Sequence, residues 1–312
     1  MYGILDYLSG HGGLLSGALL LGFAVGIQTG LFGTGGGFII TPALNIFLGL
    51  KMDIAIATSS CQVLGASAFS LWHHLDRRFL GAGVAAFTAI GIPFGVYAGK
   101  SLVEEWADMG EVTLLGRDLP LIDVLLLAIF FVFLALVAFW LILDNFWLRR
   151  HHSDDESTHI GLLGRILIPP VVRFRTIPST RFSVPVLILL GLLMGFLGGL
   201  LGIGGGVIMM PSLFYLVGQS TKHATRTDMM LIFTTGLFST IFYAADDRID
   251  YPLAAALLTG AFLGARIGSR LQKGLSGKSI RKYFSLVVIA AALMVAWKLW
   301  TLLLGSFPDA HP

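Results

Sequence analysis

Residues Gly22 to Leu44 (GFAVGIQTGLFGTGGGFIITPAL) and Gly191 to Leu213 (GLLMGFLGGLLGIGGGVIMMPSL) are two versions of one string, 169 residues apart with no gap. Gly22, Gly26, Gly30, Gly33, Gly35, Gly36 and Gly37 return as Gly191, Gly195, Gly199, Gly202, Gly204, Gly205 and Gly206. Pro42 returns as Pro211, and the trio Gly91, Gly95 and Gly99 returns as Gly260, Gly264 and Gly268. A chain that repeats itself over this distance builds one unit twice. Each copy also interrupts an apolar run with glycines at the same place, and paired broken segments are the sequence pointer to the binding site of a transporter.

The chain is 55% hydrophobic and 12% charged, and its mean hydropathy is +0.83. Such a chain has lipid as its main solvent. Apolar runs of about 20 residues suit membrane helices, whereas a barrel requires shorter alternating strands. The expected fold is therefore all-α and polytopic, with about 8–10 transmembrane segments in two inverted-topology repeats and glycine-broken or re-entrant helices. The first repeat, 1–143, holds helices at Leu14 to Thr29, Phe38 to Leu50, Ala55 to Leu75, Phe79 to Gly99 and Leu121 to Leu143. The second, 184–312, holds Val184 to Leu201, Val207 to Val217, Thr227 to Ala245, Tyr251 to Ser269 and Tyr283 to Leu304. Phe38 to Leu50 and Val207 to Val217 are short for a full crossing and suit re-entrant hairpins.

Between the repeats, 144–183 is polar and carries Pro169, Pro170 and Pro178, which reads as a cytoplasmic linker. Its His151, His152, Asp154, Asp155 and Glu156 read as solvated charge rather than a metal site, and Ile160 to Phe174 as an amphipathic piece on the membrane surface. No positive residue precedes Lys51, so no cleaved signal peptide is expected. The single cysteine, Cys61, excludes an intrachain disulfide and a thiolate metal cluster. A net charge of +3 raises nucleic acid as a partner, but the basic residues are spread over membrane loops, where positive-inside bias explains them.

Alternate connections divide those cations unevenly. Sixteen fall in one set: Arg77 and Arg78; Arg149, Arg150, Arg165, Arg173, Arg175 and Arg181; Lys222 and Arg226; Arg266, Arg270, Lys273, Lys278, Arg281 and Lys282. Four, Lys51, Lys100, Arg117 and Arg248, fall in the other. The first set is expected in the cytoplasm, which places both termini outside a cell inner membrane. The acidic loop after Gly99 (Glu104, Glu105, Asp108, Glu111) then lies outside and its basic counterpart after Gly268 inside, as inverted repeats require.

The chemistry is expected in the glycine breaks. Gly33, Gly35, Gly36 and Gly37, like Gly202, Gly204, Gly205 and Gly206, permit backbone angles that turn successive N–H groups toward one point. A helix restarting at Phe38 or Val207 adds its positive dipole end. Together they suit an anion held without a buried Lys or Arg. Close helix packing accounts for the four-residue glycine spacings instead. No Lys follows the glycines, so this is no phosphate-binding P-loop. In the next helix of each half, Thr58, Ser59, Ser60 and Gln62 face Thr227, Asp228, Met229 and Leu231 in the alignment, and the hydroxyls and amide are candidate donors to oxyanion oxygens. Arg226 either neutralises the anion or snorkels. Asp228 is either a proton carrier or a water-side helix cap. His73 and His74 either cap a helix end or relay protons. Trp140, Trp147, Trp297 and Trp300 read as interface anchors.

The doubled GxxGxGGGxxxxPxL string, followed by Ala-x-Ala-Thr-Ser at Ala55 to Ser59, resembles the TauE/SafE family of membrane transporters, over roughly residues 14 to 304. The resemblance implies export of a small sulfur-containing anion such as sulfite, sulfoacetate or another sulfonate, coupled to ions or to the membrane potential. The second copy departs from the pattern, since Ala224 to Asp228 reads ATRTD where the first reads AIATS. The expected protein is thus a secondary carrier working by alternating access on a small anionic substrate, with a coupling proton or ion, no cofactor, no metal, no catalytic residues and no nucleic acid. The lipid bilayer is its other partner, and a homo-oligomer is compatible with the sequence. A carrier for another carboxylate, an amino acid or a metal ion is the rival within transport. An intramembrane enzyme using His73, His74 and Asp76, or a non-transporting scaffold, stands outside it, and no HExxH or Gly-x-Ser-x-Gly string favours the enzyme.

Overall fold

A computed structural model of the chain describes residues 12–32, 35–74, 82–114, 117–146, 168–173, 181–217, 221–275 and 277–304. Five helices precede the linker: α1 (Gly12–Phe32), α2 (Gly37–Leu48), α3 (Met52–His74), α4 (Ala82–Asp108) and α5 (Leu121–Phe146). Five follow it: α6 (Val184–Leu201), α7 (Gly206–Pro211, continued by a π-helical turn at Ser212–Val217), α8 (Thr221–Ala244), α9 (Tyr251–Lys273) and α10 (Gly277–Leu304). Eight of these are long and apolar enough to cross a membrane, α2 being a shorter apolar helix. The protein is an all-α, multi-pass membrane protein.

Glycine spacing sets how the helices meet. Gly22, Gly26 and Gly30 of α1 rest on the main chain of α9 at Leu257, Ala261 and Ala265, while Gly260, Gly264 and Gly268 of α9 rest on α1 at Leu19, Phe23 and Ile27. Both series rise together, so α1 and α9 run parallel with backbones in contact, and a Cβ at any of the six positions would strike a carbonyl. The same seam recurs between α4 and α6, where Gly91, Gly95 and Gly99 lie on Ile188, Leu192 and Phe196, and Gly191, Gly195 and Gly199 on Thr88, Ile92 and Val96. Each half therefore lends its first helix to the fourth helix of the other.

The third helices cross each other in the opposite sense. Ser239 Oγ of α8 donates to Ser60 Oγ of α3 at 2.9 Å, Gly236 faces Leu64, and Ser70 Oγ donates to Met229 Sδ at 3.6 Å. As α3 advances α8 retreats, so these two helices, equivalent in the repeat, run antiparallel. The pairs 60–239 and 70–229 exchange with each other under the 169-residue offset.

The two short apolar segments fold back instead of continuing. Gly36 packs on Val25 and Thr29 of α1, and Leu48, at the far end of α2, reaches Gly17 near the start of α1. Thus α1 and α2 form a helical hairpin. Met209, Leu213 and Val217 belong to one buried apolar cluster that also holds Leu187, Leu190 and Met194 of α6. Pro42 and Pro211 sit inside the returning helices, where each removes a donor. At Pro211 the α-helical pattern gives way to the wider π turn.

Three local expectations change. The helix expected to end at Gly99 continues to Asp108, because no Gly or Pro interrupts it and Lys100 pairs with Glu104 one turn on at 2.7 Å. The supposed acidic loop is therefore mostly helix, followed by a ribbon of β1 (Glu111–Leu114) and β2 (Arg117–Pro120). Helix α8 begins at Thr221, six residues earlier than expected, so Arg226 and Asp228 lie in its second turn and not at its start. In the linker, β3 (Val171–Arg173) pairs antiparallel with β4 (Arg181–Ser183), which places strand where an amphipathic surface segment was expected. The rest of that segment up to 167, with His151, His152, Asp154, Asp155 and Glu156, lies outside the described residues, as do Asp76 to Arg78 and Trp147.

Candidate functional site

The two glycine breaks meet in the interior. Gly35 and Gly36 (φ 74° and 73°) and Gly202, Gly204 and Gly205 (φ 67°, 68° and 85°) all adopt left-handed backbone, the conformation that requires glycine here. Gly36 is the N-cap of α2 and Gly202 the C-cap of α6. A Cβ at Gly37 would lie 2.8 Å from the carbonyl oxygens of both Gly202 and Ile203, so the positive end of α2 abuts the negative end of α6. One methyl group, Ile232 Cγ2 of α8, stands 3.4 Å from the Cβ positions of both Gly35 and Gly204. Val63 of α3 stands 2.5 Å from that of Gly204. Positions 63 and 204 exchange with 232 and 35 under the repeat offset, so the arrangement is the same seen from either half.

The breaks differ in how tightly they are closed. A Cβ at Gly36 would meet Val25 Cγ1, Thr29 Oγ1 at 2.5 Å and Gln28 Oε1 at 3.4 Å, whereas one at Gly205 would meet only the Met209 methyl at 3.5 Å. Gly206 begins α7, and Gly33 lies outside the described residues.

The hydroxyls singled out in α3 are engaged with protein. Thr58 Oγ1 accepts from the Asp250 N–H at 3.3 Å, and Ser60 accepts from Ser239. Ser59 Oγ lies 2.7 Å from Thr41 Oγ1, 2.9 Å from the Ile56 carbonyl and 3.3 Å from that of Gly202, so it closes the carbonyl end of α6. Gln62, Thr227 and Asp228 differ. They are 0%, 1% and 1% exposed, and both amide atoms of Gln62, Oγ1 of Thr227 and Oδ1 of Asp228 find no hydrogen-bond partner. Buried polar atoms are almost always paired, so each such orphan calls for an explanation. Burial in the second turn of α8 removes the water-side cap as a role for Asp228. The side chains of His73 and Arg226 lie outside the described set. Among the described residues, no cluster of His, Cys, Asp and Glu could hold a metal ion.

Sequence reasoning missed Gln28 and Thr29. Both sit in the apolar run of α1, where a polar side chain at membrane depth was itself the available signal. It also missed Thr41, whose hydroxyl helps to seat Ser59.

At one end of the molecule, charges bridge the halves. Arg248 Nη1, in the turn between α8 and α9, donates to Asp53 Oδ2 of α3 at 2.6 Å. Lys100 of α4 pairs with Glu104 and with Asp246 of the same turn. Lys100 beside it holds the Asp246 carboxyl below the usual carboxylate range. Nearby, the Met52 N–H donates to Asp123 at 3.0 Å and the Tyr243 hydroxyl donates to the Gly199 carbonyl at 2.8 Å.

A second asymmetry faces outward. An apolar groove of about 730 Å³ runs between α5 and the α6–α7 hairpin, lined by Val132, Leu136, Trp140, Leu193, Val207 and Leu216 among others. At the place of Val207 the first half carries Phe38, fully buried against Phe284 with ring centres 6.2 Å apart, and Phe284 also meets Phe32 at 5.2 Å. The first hairpin is thereby wedged against α10.

Comparison with known proteins bears on this geometry. A family model described as "Sulfite exporter TauE/SafE" matches residues 18–295. A "Probable membrane transporter protein" of Xylella fastidiosa (strain 9a5c) is 26% identical over 290 residues, covering 91% of this chain and 95% of its own. The "Probable membrane transporter protein YunE" of Bacillus subtilis is 24% identical, covering 87% of this chain and 93% of its own. The "Probable membrane transporter protein MJ0441" of Methanocaldococcus jannaschii is 23% identical, with 86% and 91% covered. No solved structure matches the chain.

Proposed function

From the premise that this chain belongs to the sulfite exporter TauE/SafE family of membrane transporters, we propose that it is a secondary carrier of a small oxyanion, sulfite or an organosulfonate such as sulfoacetate. The anion is held between the two glycine breaks and reaches either side by alternating access. The observation that carries the proposal is the meeting of the breaks: the start of α2, the end of α6 and the left-handed glycines Gly35 and Gly204 gather around Ile232 and Val63. Backbone at membrane depth that departs from the helical ladder is tolerated only against protein, water or solute. Half-helix starts gathered at the centre suit a negative group.

The two halves act as inverted repeats in this scheme. Support comes from the antiparallel crossing of α3 and α8 and from the seams α1–α9 and α4–α6, which exchange under one offset. In this scheme the linker is cytoplasmic and the charged end that holds Lys100, Arg248 and Asp246 lies outside an inner membrane, a reading that the uneven cation count supports. Asp228, buried with an unpaired oxygen, carries the coupling proton, and His73 lies on the same helix pair toward the cytoplasm.

Flux into liposomes tests the proposal with sulfite, sulfoacetate, thiosulfate and acetate as solutes. Sulfur oxyanions should move faster than acetate, and a proton gradient should drive them. Equal indifference to all four would remove the anion from the scheme. Asp228→Asn should leave binding in place while flattening the response to the gradient, and an unchanged response would take Asp228 out of coupling.

A further inference from the structure

We infer that the charged clasp around Lys100 and Arg248 is a gate: it shuts one exit from the second glycine break in this structure and must part before solute leaves by that side. The inference rests on the carrier proposal and adds to it the parts that close one exit. Three observations carry it.

The clasp lies close to the second break. Gly99 of α4 rests on the main chain of α6 at Phe196 and Leu200, so Lys100, the next residue, stands beside the last turn of α6, which ends at Gly202. The Tyr243 hydroxyl, on the Gly199 carbonyl, ties the end of α8 to that same turn.

Between clasp and break the interior is filled by apolar side chains. Met52 and Ile56 of α3, Val103 of α4, Ile203 of the break, and Tyr243 and Ile249 on either side of the α8–α9 turn belong to one buried cluster, none more than 6% exposed. Its members adjoin the clasp along the chain, since Met52 precedes Asp53, Val103 precedes Glu104 and Ile249 follows Arg248. On its other side Ile203 lies between Gly202 and Gly204, and the Ile56 carbonyl stands 2.9 Å from the Cβ position of Gly202. A plug of this kind bars an anion, because a charge gains nothing in apolar surroundings to replace its hydration.

The ties over the plug are of a kind that can be undone. Arg248 to Asp53 joins the α8–α9 turn to α3, and Lys100 to Asp246 joins it to α4. The Asp250 N–H on Thr58 adds a third tie, again through a side chain. The turn is exposed at Asp246 and Asp247, and Asp247 holds a left-handed φ of 52°, uncommon outside glycine. Charges at a water-facing rim exchange their partner for hydration as they part, so such pairs close an exit without locking it. The turn is thus a lid with a charged outer layer and an apolar inner one.

The test bridges the clasp and asks whether transport survives. Asp53→Cys with Arg248→Cys, in a Cys61→Ser background, removes both partners of one ion pair at once. Reconstituted in liposomes, this protein is cross-linked with a short bis-methanethiosulfonate, which dithiothreitol removes. The two single-cysteine proteins, treated alike, control for the reagent. Bridging should abolish sulfite and sulfoacetate flux in the double variant alone, and reduction should restore it. A clasp that is only a brace would be replaced by the bridge without loss, so undiminished flux would overturn the inference. A second readout needs no flux: nitroxides on Glu105→Cys and Asp247→Cys, in the Cys61→Ser background, report the distance from α4 to the turn by pulsed electron paramagnetic resonance. They should show a second, longer distance that gains population in Lys100→Met, and a single distance unmoved by that change would also overturn the gate. If the parent protein carries neither anion, the carrier proposal fails for these solutes, while the distance measurement still decides whether the lid moves.

Discussion

A left-handed glycine can be required for its backbone or for the space around it, and Gly36 and Gly205 separate the two. Both hold φ near that of a left-handed turn. A methyl at Gly36 would also drive into Val25 and Thr29, whereas at Gly205 the nearest atom is the flexible Met209 methyl at 3.5 Å. Gly36→Ala should therefore combine conformational strain with overpacking and cost about 2–5 kcal/mol. Gly205→Ala should cost about 1–2 kcal/mol from the backbone alone. Thermal melting in detergent checks the order, and a Gly205 variant that melts lower than the Gly36 variant would contradict it. The same scale shows what the string of letters could convey. The glycines announced the breaks through their doubling, and all the described ones lie where the chain turns. Which hydroxyls were free was not legible, because Ser59 is consumed by Thr41 and by a carbonyl 143 residues away, a contact that exists only after folding.

Helices and turns are where the charge pattern becomes structure. The turn between α8 and α9 is tied to α3 through Arg248 and Asp53 and to α4 through Lys100 and Asp246. Its counterpart in the repeat, around Arg77, lies outside the described residues. The Asp246 carboxyl is depressed by Lys100, which means that the folded state favours its ionised form. That contribution is fully present above the ordinary carboxylate pKa of about 3.9 and is lost only as pH falls through the lower folded value. Melting between about pH 5 and 8 should thus show no pH dependence from Asp246, while Lys100→Met should lower it by leaving Glu104 and Asp246 without their shared cation. A melting curve for Lys100→Met that matches the parent would show the clasp to be idle. The element boundaries themselves were mostly readable from apolar run length. The exceptions are α8 and α10, which begin six residues before their expected starts, and α4, which ran past Gly99 because its last two turns are stabilised by an ion pair and not by hydrophobic periodicity.

Taken whole, the chain is two interlocked units. Apolar runs and the repeat predicted the number and kind of helices, yet nothing in them said that α1 would leave its own half to pack along α9, or α6 along α4. That exchange follows from matching small-residue faces, which a single sequence displays without naming their partners. At the place of Val207, which lines the outward groove beside α5, the first half carries Phe38, whose ring packs on Phe284 of α10.

Such mutual lending means that the peptide joining the units is a tether and not a fastener. Severing the chain at an engineered protease site near Ser157 should leave two fragments that travel as one particle through gel filtration and still move solute. Fragments that drift apart would show that continuity of the polypeptide, more than the reciprocal embrace of its four glycine-seamed rods, keeps this machine in one piece.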